Sequence, residues 1–185
     1  MMRLSCTLFA LSSFAIPSLA QAGDPEPAAT PTPTPEAPRW ERGGYFGLGV
    51  APSVILRRDG FAPGLRYDLE TGFSWQRRKV LVAIGVEGHL VQLYARKKVG
   101  GGVDGVATIG WGPVYVRAGL GTMAGIPATR DLDDARPSVG GLLGIGLQTH
   151  RDHIAGRIGV DYDYRIDTAG RPIQTVLLVL RVSFG

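Results

Sequence analysis

The chain has 185 residues, 20 Lys+Arg against 16 Asp+Glu, and a formal net charge of +4. That length suits one domain of ordinary size. The mild charge, with no basic stripe interleaved with aromatics, argues against a nucleic-acid-binding protein, and Cys6, the sole cysteine, excludes a disulfide scaffold.

In chain order, Arg3 supplies a positive n-region, residues 4–19 an apolar h-region, and Ala20-Gln21-Ala22 an A-x-A cleavage signal. Residues 1–22 therefore read as a secretory signal peptide, with a retained anchor as the alternative. Cys6 lies at the front of the apolar run rather than after it, so it is badly placed for lipoprotein attachment. Cleavage would remove Arg3 and no acid, taking the charge from +4 to +3. Residues 23–42 open with GDPEPAATPTPTPEAP, a Pro-rich, apolar-poor stretch expected to be an extended tether. No run of 18 apolar residues follows, so no transmembrane helix is expected.

Residues 43–185 are rich in glycine and in short alternating runs. Side chains along a strand point alternately to opposite faces, so parity assigns the faces. Strand one, residues 45–55, puts Phe46, Leu48 and Val50 against Gly47, Gly49 and Ala51. Strand two, 64–75, opposes Leu65, Tyr67, Leu69, Thr71, Phe73 and Trp75 to Arg66, Asp68, Glu70 and Ser74. Strand three, 80–95, opposes Val80, Val82, Ile84, Val86 and Leu90 to Ala83, Gly85, Glu87 and His89. Strand four, 103–111, sets Ala107, Ile109 and Trp111 against Asp104, Thr108 and Gly110, with Gly100-Gly101-Gly102 read as a turn before it. Strand five, 114–122, sets Val114, Val116, Ala118 and Leu120 against Tyr115, Arg117, Gly119 and Gly121.

Strand six, 138–149, opposes Val139, Leu143, Ile145 and Leu147 to Gly140, Gly144, Gly146 and Gln148. Strand seven, 154–166, is the clearest: Ile158, Val160, Tyr162, Tyr164 and Ile166 against Arg157, Gly159, Asp161, Asp163 and Arg165. Strand eight, 173–184, opposes Leu178, Leu180, Val182 and Phe184 to Thr175, Arg181 and Ser183, and its apolar start leaves the parity there open.

These strands are long enough to cross a bilayer, which takes about 9–11 tilted residues. Short connections follow strands two, four and six; longer ones are expected after one, three, five and seven, above all 123–137. That asymmetry is the one a transmembrane barrel shows. Phe46, Trp75, Trp111 and Phe184 should lie at the short-turn side, and Tyr94, Tyr162 and Tyr164 toward the other rim, as two aromatic girdles. On the charged parity stand Arg66, Arg117, Arg157, Arg165 and Arg181 against Asp68, Glu70, Glu87, Asp104, Asp161 and Asp163, with His89 able to add a positive charge. Five against six nearly cancels. An eight-stranded barrel is just wide enough for side chains to fill, and buried charges must pair. The expectation is an interior ion-pair network that closes the lumen. A general porin needs about sixteen strands; a small conductance stays open.

The fold class expected is all-β, an eight-stranded antiparallel up-and-down transmembrane β-barrel. Over residues 43–185 the pattern resembles the small eight-stranded outer-membrane barrels that include the OmpA barrel domain and OmpX. The resemblance implies the outer membrane of a Gram-negative bacterium, a monomer, contact with outer-membrane lipids including lipopolysaccharide, and assembly by the barrel assembly machinery. That machinery reads a terminal aromatic; here Phe184 stands one residue before Gly185. No peptidoglycan-binding domain follows the barrel in this sequence, so that function is not expected.

Some outer-membrane barrels modify lipid A. The deacylase type sets a His and a Ser two apart on one face with a carboxylate behind the His, the logic of a hydrolytic triad. His89 has no serine two residues away, and His150 and His153 flank a short turn. Glu87 and His89 share a face but read as members of the network, so neither an enzyme nor a cofactor is expected. Arg57-Arg58 and Arg96-Lys97-Lys98 fall in expected outer loops and suit lipopolysaccharide phosphates. Asp131, Asp133 and Asp134 fit no EF-hand spacing. The role expected is structural or surface-interactive. The rival is a secreted or periplasmic barrel binding an apolar ligand, which requires the opposite parity.

Overall fold

A computed structural model describes residues 41–57, 60–94, 98–129, 135–151 and 153–185, with only the backbone of Arg151. The expected signal peptide and the tether up to residue 40 lie outside these. The described residues form β1 (Glu41–Arg57), β2 (Gly60–Arg77), β3 (Val80–Leu93), β4 (Lys98–Trp111), β5 (Val114–Ala124), β6 (Ser138–Arg151), β7 (Ile154–Asp167) and β8 (Pro172–Phe184). Each pairs antiparallel with the next, and β8 closes on β1, giving a closed eight-stranded barrel. The closing ladder runs from Phe46↔Phe184 to Leu56↔Gln174 and skips Ala51 and Pro52. Pro52 has no N–H to donate there.

Several expected boundaries are corrected. Glu41 and Arg42, assigned to the tether, pair with Gln76 and Trp75 and so belong to the barrel. Gly100, Gly101 and Gly102, read as a turn, are part of β4 and pair with Val91, Leu90 and His89. Glycine is needed for space: a Cβ on Gly102 would run into the Thr122 carbonyl and the His89 ring. The expected loop asymmetry holds except after β1, and it is smaller than expected. On one side the connections are 78–79, 112–113 and 152–153; on the other they are 58–59, 94–97, 125–137 and 168–171. Only the connection after β5 is long, because the flanking strands extend their ladders through segments read as loops. The tight turns carry left-handed backbone at Arg78 (φ 54°) and Gly112 (φ 56°).

Alternation decides what faces in. β7 alternates without a break from Arg157 to Asp167, with Arg157, Gly159, Asp161, Asp163, Arg165 and Asp167 buried and Ile158, Val160, Tyr162, Tyr164 and Ile166 exposed. At the long-connection end the inward face turns apolar. Ile55, Ala62, Val91, Leu93, Met123 and Ile173 meet Ile126 and Ala128 from the segment after β5. Residues 126–129 fold down onto the lumen as an apolar cap, held also by Arg57 Nη1 donating to the Thr129 carbonyl at 3.1 Å. The sequence reading had Arg57 as an outer-loop charge; instead it braces the cap.

Candidate functional site

Below the cap the lumen is filled by charge. Glu87, on the middle of β3 and 0% exposed, is its hub. It accepts from Arg66 Nη2 on β2, Arg117 Nη2 on β5 at 2.5 Å and Arg181 Nη2 on β8 at 2.7 Å. Arg66 also donates through Nε to Asp68 (2.6 Å) and through Nη1 to Asp163 (3.2 Å). Arg165 takes Asp104 through Nη2 (2.9 and 2.8 Å) and Asp163 through Nε (2.8 Å). Arg117 reaches Glu70 (3.0 Å) and Asp161 (3.5 Å), and Arg181 reaches Asp68 (3.2 Å). His89 Nδ1 lies 3.3 Å from Asp104. Ionised donors and acceptors form the stronger class of hydrogen bond, and each guanidinium offers several donors in a fixed plane.

Room for these long side chains comes from glycines on the same inward parity. A Cβ on Gly121 would meet the Val103 carbonyl and Asp104, and one on Gly144 would meet the Asp161 carboxylate.

The structure buries Arg66, Asp68, Glu70, Glu87, His89, Asp104, Arg117, Arg157, Asp161, Asp163, Arg165 and Arg181. It brings all but Arg157 into one network. Arg157 instead lies over the Tyr115 ring, 5.8 Å from its centre, and its Nε and Nη1 have no hydrogen-bond partner among the described residues. The expectation that Arg157 pairs with an acid is corrected: its neighbours across the ladders are Gln148 and Arg181.

Three participants escaped the sequence reading. Tyr45 donates to Glu70 at 2.5 Å, and its odd parity with Gly47 and Gly49 would have turned it inward. Asp167 extends the Asp163–Arg165 parity by one step; it accepts from Arg171 Nε (2.8 Å) and the Ala169 N–H (2.9 Å) at the 168–171 turn. The apolar cap was hidden because both faces are apolar there.

Glu87, His89 and Asp104 place ligand-type atoms within 4.8 Å of one another. The same carboxylates already take Arg66, Arg117, Arg165 and Arg181, so guanidinium cations stand where a metal ion would need free oxygens. His153 Nδ1 faces the Gly185 carbonyl at 3.1 Å on the short-turn side.

Among the girdle candidates, Phe46 sits opposite Phe184, Trp75 opposite Arg42 and Val82, and Trp111, 73% exposed, ends β4 at the 112–113 turn. Arg42 lies 5.7 Å from the Phe73 ring and 5.9 Å from that of Trp75. Tyr94 follows β3 at the opposite end, while Tyr162 and Tyr164 lie on β7, Tyr162 donating to Gln174 Oε1 at 3.1 Å. Exposed Phe61, at the start of β2, joins that end unforeseen. Arg58, Arg96, Lys97, Asp131, Asp133 and Asp134 lie outside the described residues.

No family model matches the chain. No curated protein matches it. Among solved structures it is similar to the crystal structure of Neisserial surface protein A, at 13% identity and a TM-score of 0.48, over 78% of this chain and 98% of that one.

Proposed function

We propose that this chain is an outer-membrane β-barrel protein of a Gram-negative bacterium with a structural or surface-interaction role. The observation that carries the reading is inverted burial. Glu87 and Asp104 are fully buried, while Leu48, Ile84, Val116, Leu143 and Leu178, from strands around the barrel, are exposed. Soluble monomers rarely expose apolar patches larger than a few hundred Å². One protein partner covers one side of a barrel, whereas lipid covers the full circumference. The rival apolar-ligand carrier needs the reverse arrangement.

A lumen filled by salt bridges and an apolar cap supports surface or structural work over transport. Outer-membrane lipids, with lipopolysaccharide at the outer rim, are the proposed surroundings of a monomer, and the barrel assembly machinery the proposed route through β8. Nucleic acid and cofactors have no part in the reading.

The test is fractionation and heat-modifiable gel migration of the expressed protein. Recovery in the outer-membrane fraction, with a migration shift on boiling, is expected. A mature protein that stays soluble and monomeric without detergent overturns the reading. Unchanged lipid A mass spectra on expression would leave the non-enzymatic role standing; altered acylation would replace it with catalysis.

A further inference from the structure

The short-turn mouth of the lumen differs from the rest of the interior. Two adjoining cavities, about 60 and about 300 Å³, open there and share Gln76, Leu81, His150 and Ala155 in their linings. Among the described residues, the charged and titratable side chains of the lining are Arg157, His150, His153 and Tyr45 in the smaller and Arg78, Lys79 and His150 in the larger, with no Asp or Glu side chain in either; the carboxyl end of Gly185 also lines the smaller. Arg157, at the inner end of the smaller cavity, is 6% exposed. Its Nε and Nη1 are buried without a partner, and across the β7–β8 ladder it faces another cation, Arg181.

Like charges directly opposite destabilise a strand pair, and a buried ion without a counter-ion costs several kcal/mol. Arg181 is neutralised by Asp68 and Glu87. Glu70, the acid whose charge acts most on Arg157, is held instead by hydrogen bonds from Tyr45 and Arg117. The Gly185 carbonyl at the rim faces His153. Tyr115 fixes the guanidinium from one side, and its ring fits because Gly146 and Gly159 carry no Cβ.

We propose that this mouth is an anion-binding site in which Arg157 takes an oxyanion, a carboxylate or phosphate group, presented by a small solute from the short-turn side. The smaller cavity has room for the oxyanion; the larger, lined by Arg78 and Lys79, receives the rest of the solute. Arg forks match the geometry of both groups, and a desolvated site strengthens the contact.

Full-length protein, folded in detergent, is titrated with sodium phosphate and separately with sodium acetate. Sodium chloride at equal ionic strength is the control, and amide NMR shifts are the readout. Saturable shifts confined to residues around 155–158, His153 and Ser183 are expected with at least one of the two, and the stronger arm identifies the chemistry. Arg157→Gln should weaken that binding by about tenfold or more, the loss expected when charge-assisted hydrogen bonds are removed. Shifts with no saturation, shifts equal to those in chloride, or affinity retained in Arg157→Gln overturn the proposal. Should that variant not fold, the wild-type titration map decides alone. The titration needs only the folded barrel, so its outcome is separate from that of the fractionation test.

Discussion

Glu87→Gln is the sharpest test of the filled lumen. The substitution keeps the side chain's shape and removes one negative charge from contact with Arg66, Arg117 and Arg181. At an effective dielectric of about 20, a unit pair 4 Å apart is worth about 4 kcal/mol, so three such pairs amount to about 12 kcal/mol gross. Desolvation of the ions offsets most of that, and breaking a buried pair by removing one partner costs about 3–5 kcal/mol net. With a urea slope of roughly 1–3 kcal/mol/M, the unfolding midpoint should fall by on the order of 2 M. The assay is urea unfolding in lipid vesicles, followed by tryptophan fluorescence and by loss of the folded gel band. Arg171→Gln is the control. It loosens the Asp167 pair (2.8 Å) at a turn where Arg171 is 30% exposed, and a surface pair is worth at most about 1 kcal/mol. Equal midpoints for wild type and Glu87→Gln would refute the claim that this network holds the barrel together.

Leu143, 67% exposed at mid-strand on β6, tests the proposal that the apolar outer face meets lipid. Leu143→Arg should cost about 2–4 kcal/mol in vesicles, as for a charge near the midplane of a bilayer; an unchanged midpoint would mean that water bathes that face. Gly121→Ala should destabilise by about 1–3 kcal/mol through overpacking against the Val103 carbonyl, whereas Gly88→Ala, with open space around it, should leave the thermal midpoint within the error of measurement. Ile126→Ala should remove part of the cap, costing about 2–4 kcal/mol. The 125–137 segment should then be cut faster by protease in the folded state, and equal cleavage rates would mean that the segment does not depend on the cap.

Parity made much of this fold legible. β7 was readable residue by residue because its two faces differ so strongly in chemistry: Ile158, Val160 and Tyr162 cannot exchange places with Arg157, Asp161 and Asp163. Where both faces are apolar, as at Val54–Leu56 or Leu177–Val179, alternation carries no contrast, and the inward cluster of Leu177, Val179 and Ala51 emerges only from the closed ladder. Glycine misled at 100–102 because the same residue serves tight turns and crowded strand interiors. The pairing of charges was not legible at all. Parity places Arg157 and Arg66 on one inward face, but only the stagger between strands decides that Arg66 finds Glu87 and Arg157 finds Tyr115.

That stagger is the deeper role of the network. Glu87 is bound from β2, its ladder neighbour, and from β5 and β8, which are not neighbours of β3. A slip of one residue on any of those strands would turn its arginine toward the apolar outside and its outward apolar side chains into the lumen. The charges therefore penalise wrong registers more than they stabilise the right one, consistent with the modest net worth of buried ion pairs. The apolar cap lacks that directionality: contacts among Ile55, Leu93 and Ile126 have no preferred direction, whereas Arg165 Nη2, held between both oxygens of Asp104, has one. Register specified by charge and closure supplied by the cap leave Arg157 as the one buried arginine of the network parity whose position neither function explains, which is why the short-turn mouth is where a ligand should be sought.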